Sequence, residues 1–316
     1  MSRPLPNPER SWQRRTGLQA VDRPERVRAD LVERLGASVA HQPIELLSGG
    51  LANQNIRVGD RVVRIYRRDP GERRKEARLL QRGWTSFRVP VVHETGDDFL
   101  VLEYVAHAPV VGSIEHGAAV GRALAEIHAI SFQHSGLLGP ELTVGSPFGR
   151  DADDDVPVGE ATFVELRDHV AGALDRDLVA TAHQTIQDVV RVLDRLESDL
   201  RALASAPVLL HGDFKAANLH WAFNDQLLVL DWEFAYAGPA FMDLGQLIRW
   251  TPPARFCDAF AAAYRERGAA LPDDWTRWAQ TFDLINLAGM LATSQPDSRR
   301  SRDLEARIRD TVALVG

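Results

Sequence analysis

Two short apolar runs that each end in an aspartate constrain this chain more than any other feature. The run 209–210 leads into His-Gly-Asp at 211–213, and the run 227–230 leads into Asp-Trp-Glu at 231–233. Each run is short enough for a buried strand, and each delivers its carboxylate where side chains leave the core. The two runs therefore predict buried strands that end at a polar cleft.

The polar residues after these runs form a chemically coherent set. Asn218 follows Asp213 by five positions, and Asp231 ends the second run. Phosphoryl transfer needs one carboxylate to accept the proton of an attacking hydroxyl, and a carboxylate with an amide to hold Mg²⁺ against the phosphates of ATP. Asp213 is the candidate base, and Asn218 and Asp231 are the candidate metal ligands. Singly, each motif is equally typical of a strand-ending turn or a helix cap; together they favour phosphoryl transfer.

These motifs resemble the signature of the aminoglycoside phosphotransferase and choline kinase family, H-G-D-x-x-x-x-N followed by an apolar strand and D-W-E. The resemblance covers roughly positions 40–250. It implies a protein-kinase-like fold, Mg²⁺ as cofactor and ATP or GTP as phosphoryl donor. The implied acceptor is a small-molecule hydroxyl. The first expected acceptor is an aminoglycoside or another amino alcohol, which would connect the chain to antibiotic resistance. The alternative acceptor is choline, ethanolamine, a sugar or a vitamin alcohol.

Hydrophobic patterning predicts an N-lobe built on a small antiparallel sheet. A surface helix is expected from Pro24 to Leu35, and another helix at 71–82 is inserted into the sheet. The pair Gly59-Asp60 is typical of a hairpin turn. The predicted strands are 44–47, 55–58, 61–66, 89–93 and 99–105.

Helical periodicity dominates after Val105 and predicts a larger C-lobe. The expected helices are 117–130, 161–173, 181–204, 253–268, 275–292 and 304–314. The fold class is therefore α+β with two lobes. We expect a flexible arm at 1–22, the N-lobe at 23–105, and the C-lobe at 106–316 with the catalytic loop and the acceptor site.

The nucleotide side of the cleft is expected in the N-lobe. Gly49, Gly50 and Asn53 match the G-G-x-x-N pattern that similar proteins carry, where small residues let backbone N–H groups approach phosphates. Arg64 on the third strand stands in place of the lysine of protein kinases, as in variants on the choline kinase side of the family. We expect Glu76, on the following helix, to hold it.

Similarity to kinase folds implies further roles beside these residues. The carbonyl of Glu103 and the N–H of Val105 are expected to bind adenine at the hinge. Asp243 is expected to begin a helix and to tie down the catalytic-loop backbone. Glu233 is expected to face the cleft, where it either orients the bound Mg²⁺ or contacts the substrate.

Two residues of the catalytic loop join Asp213 as catalytic candidates. Lys215 is placed to offset charge on the transferring phosphoryl, although many loop lysines are merely solvated. His211 points to the same side of an extended strand as Asp213. Because Asp213 already supplies a base, His211 is expected mainly to brace the loop by hydrogen bonds.

The charge balance limits the partners. With 37 Lys and Arg against 44 Asp and Glu, the net charge of −7 disfavours nucleic acid and favours a cationic acceptor. Asp151, Asp153, Asp154 and Asp155 belong to an acidic stretch at 151–160 that would attract such an acceptor, or is simply a solvated loop. The chain contains no membrane span and no secretory signal, so a cytoplasmic monomer or homodimer is expected.

Two other functions compete with a small-molecule kinase. A protein kinase needs a long activation segment, but only 12 positions separate Asp231 from Asp243, and no A-P-E triplet appears. A pseudokinase scaffold would bind nucleotide without turnover. The intact set of Asp213, Asn218 and Asp231 disfavours it.

Overall fold

The N-lobe is a five-stranded antiparallel sheet in the computed structural model, which describes residues 3–12, 24–47, 53–67, 71–148 and 156–315. Its hairpin turn at Gly59 adopts φ 62° and pairs Val58 with Arg61, as predicted from Gly59-Asp60. The strands are β1 (Ile44–Leu47), β2 (Asn53–Val58), β3 (Arg61–Tyr66), β4 (Val92–Thr95) and β5 (Phe99–Glu103). They pair in the order β1-β2-β3-β5-β4.

Two helices cover different parts of this sheet. Helix α1 (Pro24–Leu35) buries Val27 and Leu31 in a cluster with Val63, Ile65 and other alternate residues of β2, β3 and β5. Helix α2 (Glu72–Leu80) packs with Leu100 and Leu102 in the main core cluster instead. Because side chains alternate along a strand, Arg64 lies on the face opposite Val63 and Ile65. That face looks toward α2 and the cleft.

Eight helices of the described residues form the C-lobe and supply most of the main apolar core cluster. They are α3 (Ile114–His128), α4 (Val158–Gly172), α5 (Ala180–Arg195), α6 (Glu197–Leu203), α7 (Phe241–Ile248), α8 (Ala254–Glu266), α9 (Trp275–Ala292) and α10 (Arg299–Val315). None of the helices in the described part of the chain is long and apolar enough to cross a membrane.

Two small sheets of this lobe contain the motif strands. Strands β6 (His107–Pro109), β10 (Leu219–Ala222) and β11 (Gln226–Val229) form one sheet in the order β11-β10-β6. Strands β7 (Gly136–Leu138), β8 (Val144–Pro147), β9 (Val208–Leu210) and β12 (Tyr236–Gly238) form the other, in the order β8-β7-β12-β9. Each predicted motif strand, β9 and β11, thus ends at the cleft.

Several predicted elements have other bounds in the structure, and two of these differences have a clear physical reason. The strand expected at 89–93 is β4 at Val92–Thr95, since Pro90 has no N–H to give to a ladder. The helix expected at 181–204 is divided into α5 and α6 at Leu196, whose ψ of 12° departs from helical geometry. The break is invisible in the sequence because the apolar periodicity continues through it.

Residues 3–12 pack against the C-lobe, in contrast to the flexible arm expected over 1–22. The N–H of Leu5 donates to the carbonyl of Val110 at 3.0 Å, and the Leu5 side chain is 6% exposed. A turn of 3-10 helix follows at Pro8–Ser11, and the indole of Trp12 donates to Asp303 at 2.7 Å. The backbone pairing and the apolar contact together hold this segment on the lobe.

Candidate active site

A cavity of about 790 Å³ lies between the lobes. Its volume is that of a small-molecule site. Arg64 lines it from the N-lobe, and Lys215, Asn218 and Asp231 line it from the C-lobe. Its apolar lining includes Val62, Leu102, Val105, Leu228 and Leu230.

The catalytic loop owes its shape to helix α7. The buried carboxylate of Asp243 accepts the backbone N–H groups of His211 at 2.7 Å and Gly212 at 2.9 Å. One turn later, Gln246 accepts the N–H of Phe214 at 2.6 Å and donates to the carbonyl of Gly212 at 2.8 Å. Asp243 thus bonds the loop backbone from the third position of α7, which begins at Phe241 and not, as expected, at Asp243. Gln246 was not predicted, although its i+3 spacing from Asp243 puts it on the same helix face.

His211 lies behind the loop, with no exposed surface. Its Nε2 lies 3.0 Å from the carbonyl of Leu230, and the N–H of Asp213 donates to its Nδ1 at 3.3 Å. Burial lowers the pKa of His211, so the ring is neutral and donates through Nε2. A buried neutral ring cannot touch a substrate. Among the three catalytic candidates, His211 is therefore the one that lies away from the cleft, and its ring contacts the Leu230 carbonyl and the Asp213 N–H.

The side chains of Asp213 and Asn218, at the two ends of the catalytic loop, contact each other. The side-chain amide of Asn218 donates to the Asp213 carboxylate and to its backbone carbonyl, both at 2.8 Å. Lys215 Nζ lies 2.9 Å from the other oxygen of the same carboxylate. With Nδ2 bonded to Asp213, the amide oxygen of Asn218 is directed away from it.

Asp231 is followed directly by Trp232, a buried residue that fixes this part of the backbone in the core. The Trp232 ring is fully buried and stacks on Trp84, with ring centroids 5.3 Å apart. Asp231 itself adopts φ 70°, a left-handed conformation that Asp and Asn tolerate better than most residues. The N–H of Leu230 donates to the carbonyl of Asn218 at 3.0 Å, which joins the two motifs.

Arg64 connects the lobes through a buried cluster of carboxylates. Its Nε lies 3.1 Å from Glu76, an ion pair without hydrogen-bond alignment, and its Nη2 bonds Asp231 and lies 3.5 Å from Glu233. Burial disfavours its charge, but Glu76 and Asp231 outweigh burial and raise the pKa of Arg64 well above its ordinary value. The predicted Arg64–Glu76 pair is present, and Arg64 contacts the motif Asp as well.

The Glu233 carboxylate also faces this cluster. Asn53 of β2 donates its side-chain amide to it, so the predicted residue Asn53 lies beside the Arg64 cluster. Burial raises the pKa of Glu233 to about 7; Asp231 and Glu76 add to the effect, and Arg64 opposes it. Glu76 is buried and accepts the hydroxyl of Tyr66.

The donor set fits a magnesium ion that relies on its substrate for most of its ligands. Within the described residues, no group of three or more His, Cys, Asp or Glu could hold a metal alone. Mg²⁺ usually takes one or two protein carboxylates and completes its shell with water and substrate phosphates. The Asp231 carboxylate and the Asn218 amide oxygen supply such a partial set.

Glu103 and Val105, the two residues predicted to bind adenine, both line the cavity. The side chain of Glu103 accepts a hydrogen bond from Arg88. Gly49 and Gly50 lie outside the described residues, as do Asp151, Asp153, Asp154 and Asp155.

Comparison with known proteins identifies the family and the fold of this chain. The sequence model of the phosphotransferase enzyme family matches residues 43–280. Among curated proteins there is no significant match. Several solved structures share the fold over nearly their whole length.

One is a choline/ethanolamine kinase family protein from Mesorhizobium loti, with 20% identity, a TM-score of 0.62, and coverage of 92% of this chain and 98% of that one. APH(2")-IIa in complex with gentamicin has 16% identity, a TM-score of 0.60, and coverage of 93% and 97%. The macrolide 2'-phosphotransferase MphH from Brachybacterium faecium has 18% identity, a TM-score of 0.60, and coverage of 88% and 96%.

Proposed function

The chain belongs to the phosphotransferase enzyme family, and from that premise we propose that it transfers the γ-phosphoryl group of ATP to a hydroxyl group of an amino-alcohol acceptor, with an aminoglycoside as the leading class. The observation that carries this proposal is the convergence of three side chains at one end of the cleft. Asp213 and Asn218 are bonded to each other, and Asp231 is tied to them through its neighbour Leu230.

Each of these residues suits one task in the transfer. Asp213 lies at the mouth of the loop with 20% of its side chain exposed, where it can accept the proton of an acceptor hydroxyl. Lys215 supplies positive charge beside it, and Arg64 supplies positive charge from the N-lobe. In-line transfer depends on positioning and on charge stabilisation rather than on covalent chemistry. A base with two neighbouring positive charges supplies the kinds of groups that such a transfer needs.

Mg²⁺ is part of the proposal. Asn218 and Asp231 are the residues that would hold it, and its chemistry would be to neutralise charge on the phosphate oxygens. Arg64, which bonds Asp231 in this structure, shares that carboxylate with the metal site. Its buried pair with Glu76 anchors the guanidinium independently of Asp231.

A cationic acceptor is supported by charge. The net charge of −7 favours the approach of a polyamine, and family relatives include a structure with gentamicin bound. The acidic residues at 151–155 would add to this attraction, and their placement lies outside the described residues.

A second candidate acceptor is choline or a related metabolic alcohol. The observation in its favour is Arg64, which stands on β3 where protein kinases carry lysine and resembles the choline kinase side of the family. This reaction would use the same base and the same metal ligands.

The test is a panel of acceptors assayed with purified protein, Mg²⁺ and ATP or GTP. Aminoglycosides, choline, ethanolamine, neutral sugars and vitamin alcohols are compared for nucleotide turnover above the acceptor-free background, and the product is identified by mass. The proposal predicts a phosphorylated amino alcohol. If no acceptor raises turnover above the background, and Asp213→Asn leaves that background unchanged, a nucleotide-binding scaffold becomes the better assignment.

A further inference from the structure

The N-terminal segment 3–12 forms part of the cleft wall. Its backbone pairs with the chain that follows the hinge: Leu5 donates to Val110, and Gly112 donates to Arg3 at 2.9 Å. Pro4, Leu5, Asn7, Glu9 and Arg10 all line the cavity that holds the catalytic loop. The segment lies outside residues 43–280, the part that matches the family.

Glu9 is the acidic side chain of this segment, and it is 9% exposed. One carboxylate oxygen accepts Arg249 Nη1 at 2.9 Å and the indole N–H of Trp250 at 3.0 Å. The other oxygen lies 3.0 Å from Lys215 Nζ. Glu9 therefore connects the end of helix α7 to the catalytic loop.

Arg249 gives this connection a rigid base. Its side chain is 3% exposed and makes two parallel hydrogen bonds to Asp283 of α9, at 2.8 and 2.7 Å. Such a bidentate pair fixes the plane of the guanidinium. Arg249 Nη1 and the indole of Trp250 both donate to one oxygen of Glu9, and together they fix the orientation of its carboxylate. The second oxygen is thereby directed toward Lys215.

The ammonium group of Lys215 can donate to Asp213, to Glu9 and to a substrate at the same time. An ammonium group has three N–H donors. Asp213 at 2.9 Å and Glu9 at 3.0 Å each take one. Lys215 lines the cavity and keeps 23% of its side chain exposed, so the third donor is available to a phosphoryl oxygen.

We infer that Glu9 is a positioning residue for the transfer: its carboxylate holds the ammonium of Lys215 beside Asp213 with one N–H directed into the cleft. This inference rests on the proposed function. Without Glu9, Asp213 is the sole remaining carboxylate among the ion-pair partners described for Lys215, and the flexible lysine stem can turn its charge away from the phosphoryl group.

Glu9→Gln is a sharp test because an amide has one acceptor oxygen, while Glu9 serves donors on both of its oxygens. Either Lys215 or the Arg249–Trp250 pair must face the amide N–H₂ group. We expect kcat to fall about 10-fold, within the roughly 10²-fold that a 1 Å misplacement can cause, with the KM of nucleotide and acceptor nearly unchanged. Glu9→Asp keeps the charge and should recover part of the loss.

Trp12→Phe is the matched control. It removes the hydrogen bond from the same segment to Asp303 but keeps an aromatic ring against Trp250, whose indole donates to Glu9. It should therefore loosen the docking of the segment while kcat stays close to that of the wild type.

A double-mutant cycle with Lys215→Met separates positioning from a structural role. If Glu9 acts through Lys215, Glu9→Gln should change kcat little in the Lys215→Met background. An equal loss of kcat in both backgrounds would overturn the inference, as would an unchanged kcat in Glu9→Gln. The free energy of unfolding is also measured for the wild type, the two single variants and the double variant. If the wild type transfers phosphoryl to no acceptor, the proposed function is refuted, and the unfolding measurements then test the Glu9–Lys215 contact alone. Additive losses of unfolding free energy would show that the two side chains do not interact.

Discussion

Arg64 Nε lies 3.1 Å from the carboxylate of Glu76, and the two side chains are only 7% and 2% exposed. Removal of either partner leaves a buried charge with fewer partners, which costs more than a surface pair would. We therefore expect Arg64→Ala and Glu76→Ala to lower kcat/KM nearly as much singly as together, with an interaction free energy of about 1–3 kcal/mol. The cycle is measured with the nucleotide varied. Additive losses would show that the pair does not act as a unit.

Asp213→Asn should lower kcat by roughly 10²-fold or more, because the amide cannot accept the proton of the acceptor hydroxyl. The fold should be kept, since Asn can still bond Lys215 or Asn218. Asp225→Asn is the matched control: Asp225 lies in the exposed turn between β10 and β11 at φ 60°, a conformation that Asn also adopts. Turnover of Asp213→Asn within a few-fold of the wild type would remove Asp213 as the base.

Asp231→Asn should strongly reduce the increase in nucleotide affinity that Mg²⁺ produces, because the metal loses a charged carboxylate and keeps at most a neutral amide oxygen at this position. Asn is preferred to Ala here since position 231 has φ 70°, where Ala adds backbone strain. Calorimetric titration of the nucleotide with Mg²⁺ and with EDTA measures the difference. An Mg²⁺-dependent gain equal to that of the wild type would contradict this role.

Gly212→Ala should destabilise the protein by about 2 kcal/mol or more and disrupt the catalytic loop. Gly212 has φ 78°, and a Cβ there would lie 2.1 Å from the carbonyl oxygen of Phe234. Gly268→Ala is the control, since Gly268 has φ 83° with no atom within 4 Å of its added Cβ, and it should cost only about 1–2 kcal/mol. Denaturant unfolding compares the two. Equal losses would show that the clash with Phe234 is relieved by movement.

Glu9 should make stability depend on acidity. Burial by itself raises the pKa of Glu9, but Arg249 and then Lys215 outweigh burial and lower the pKa from 4.5 to about 2. A depressed carboxyl pKa stabilises the fold above the unfolded pKa, and this contribution is lost as the pH falls through the folded value. The wild type should exceed Glu9→Gln in unfolding free energy by about 3 kcal/mol at neutral pH. This advantage should shrink between pH 4.5 and about pH 2. A difference that stays constant over that range would contradict the ion pairing.

Local patterns determined most of the architecture. Alternation and hairpin chemistry predicted β1 and β3 with their observed bounds, and helical periodicity predicted α9 as Trp275–Ala292. The spacing within the two motifs also brought Asp213, Asn218 and Asp231 to one site. These features are readable because strands and helices impose periods of two and 3.6 residues, and because the motif residues sit at the ends of buried strands.

Only the tertiary structure decided the contacts between distant segments. Nothing local in the sequence links Glu9 to Lys215 or Arg249, and the spacing of Gln246 from Asp243 does not by itself show that Gln246 bonds the catalytic loop. The short strands β6, β7, β8 and β12 are likewise formed by pairing rather than by their own propensity. A buried ion pair arises where packing excludes water from two charges, and that depends on the whole fold. The sequence alone determined which residues are chemically competent, and packing decided how their charges are oriented.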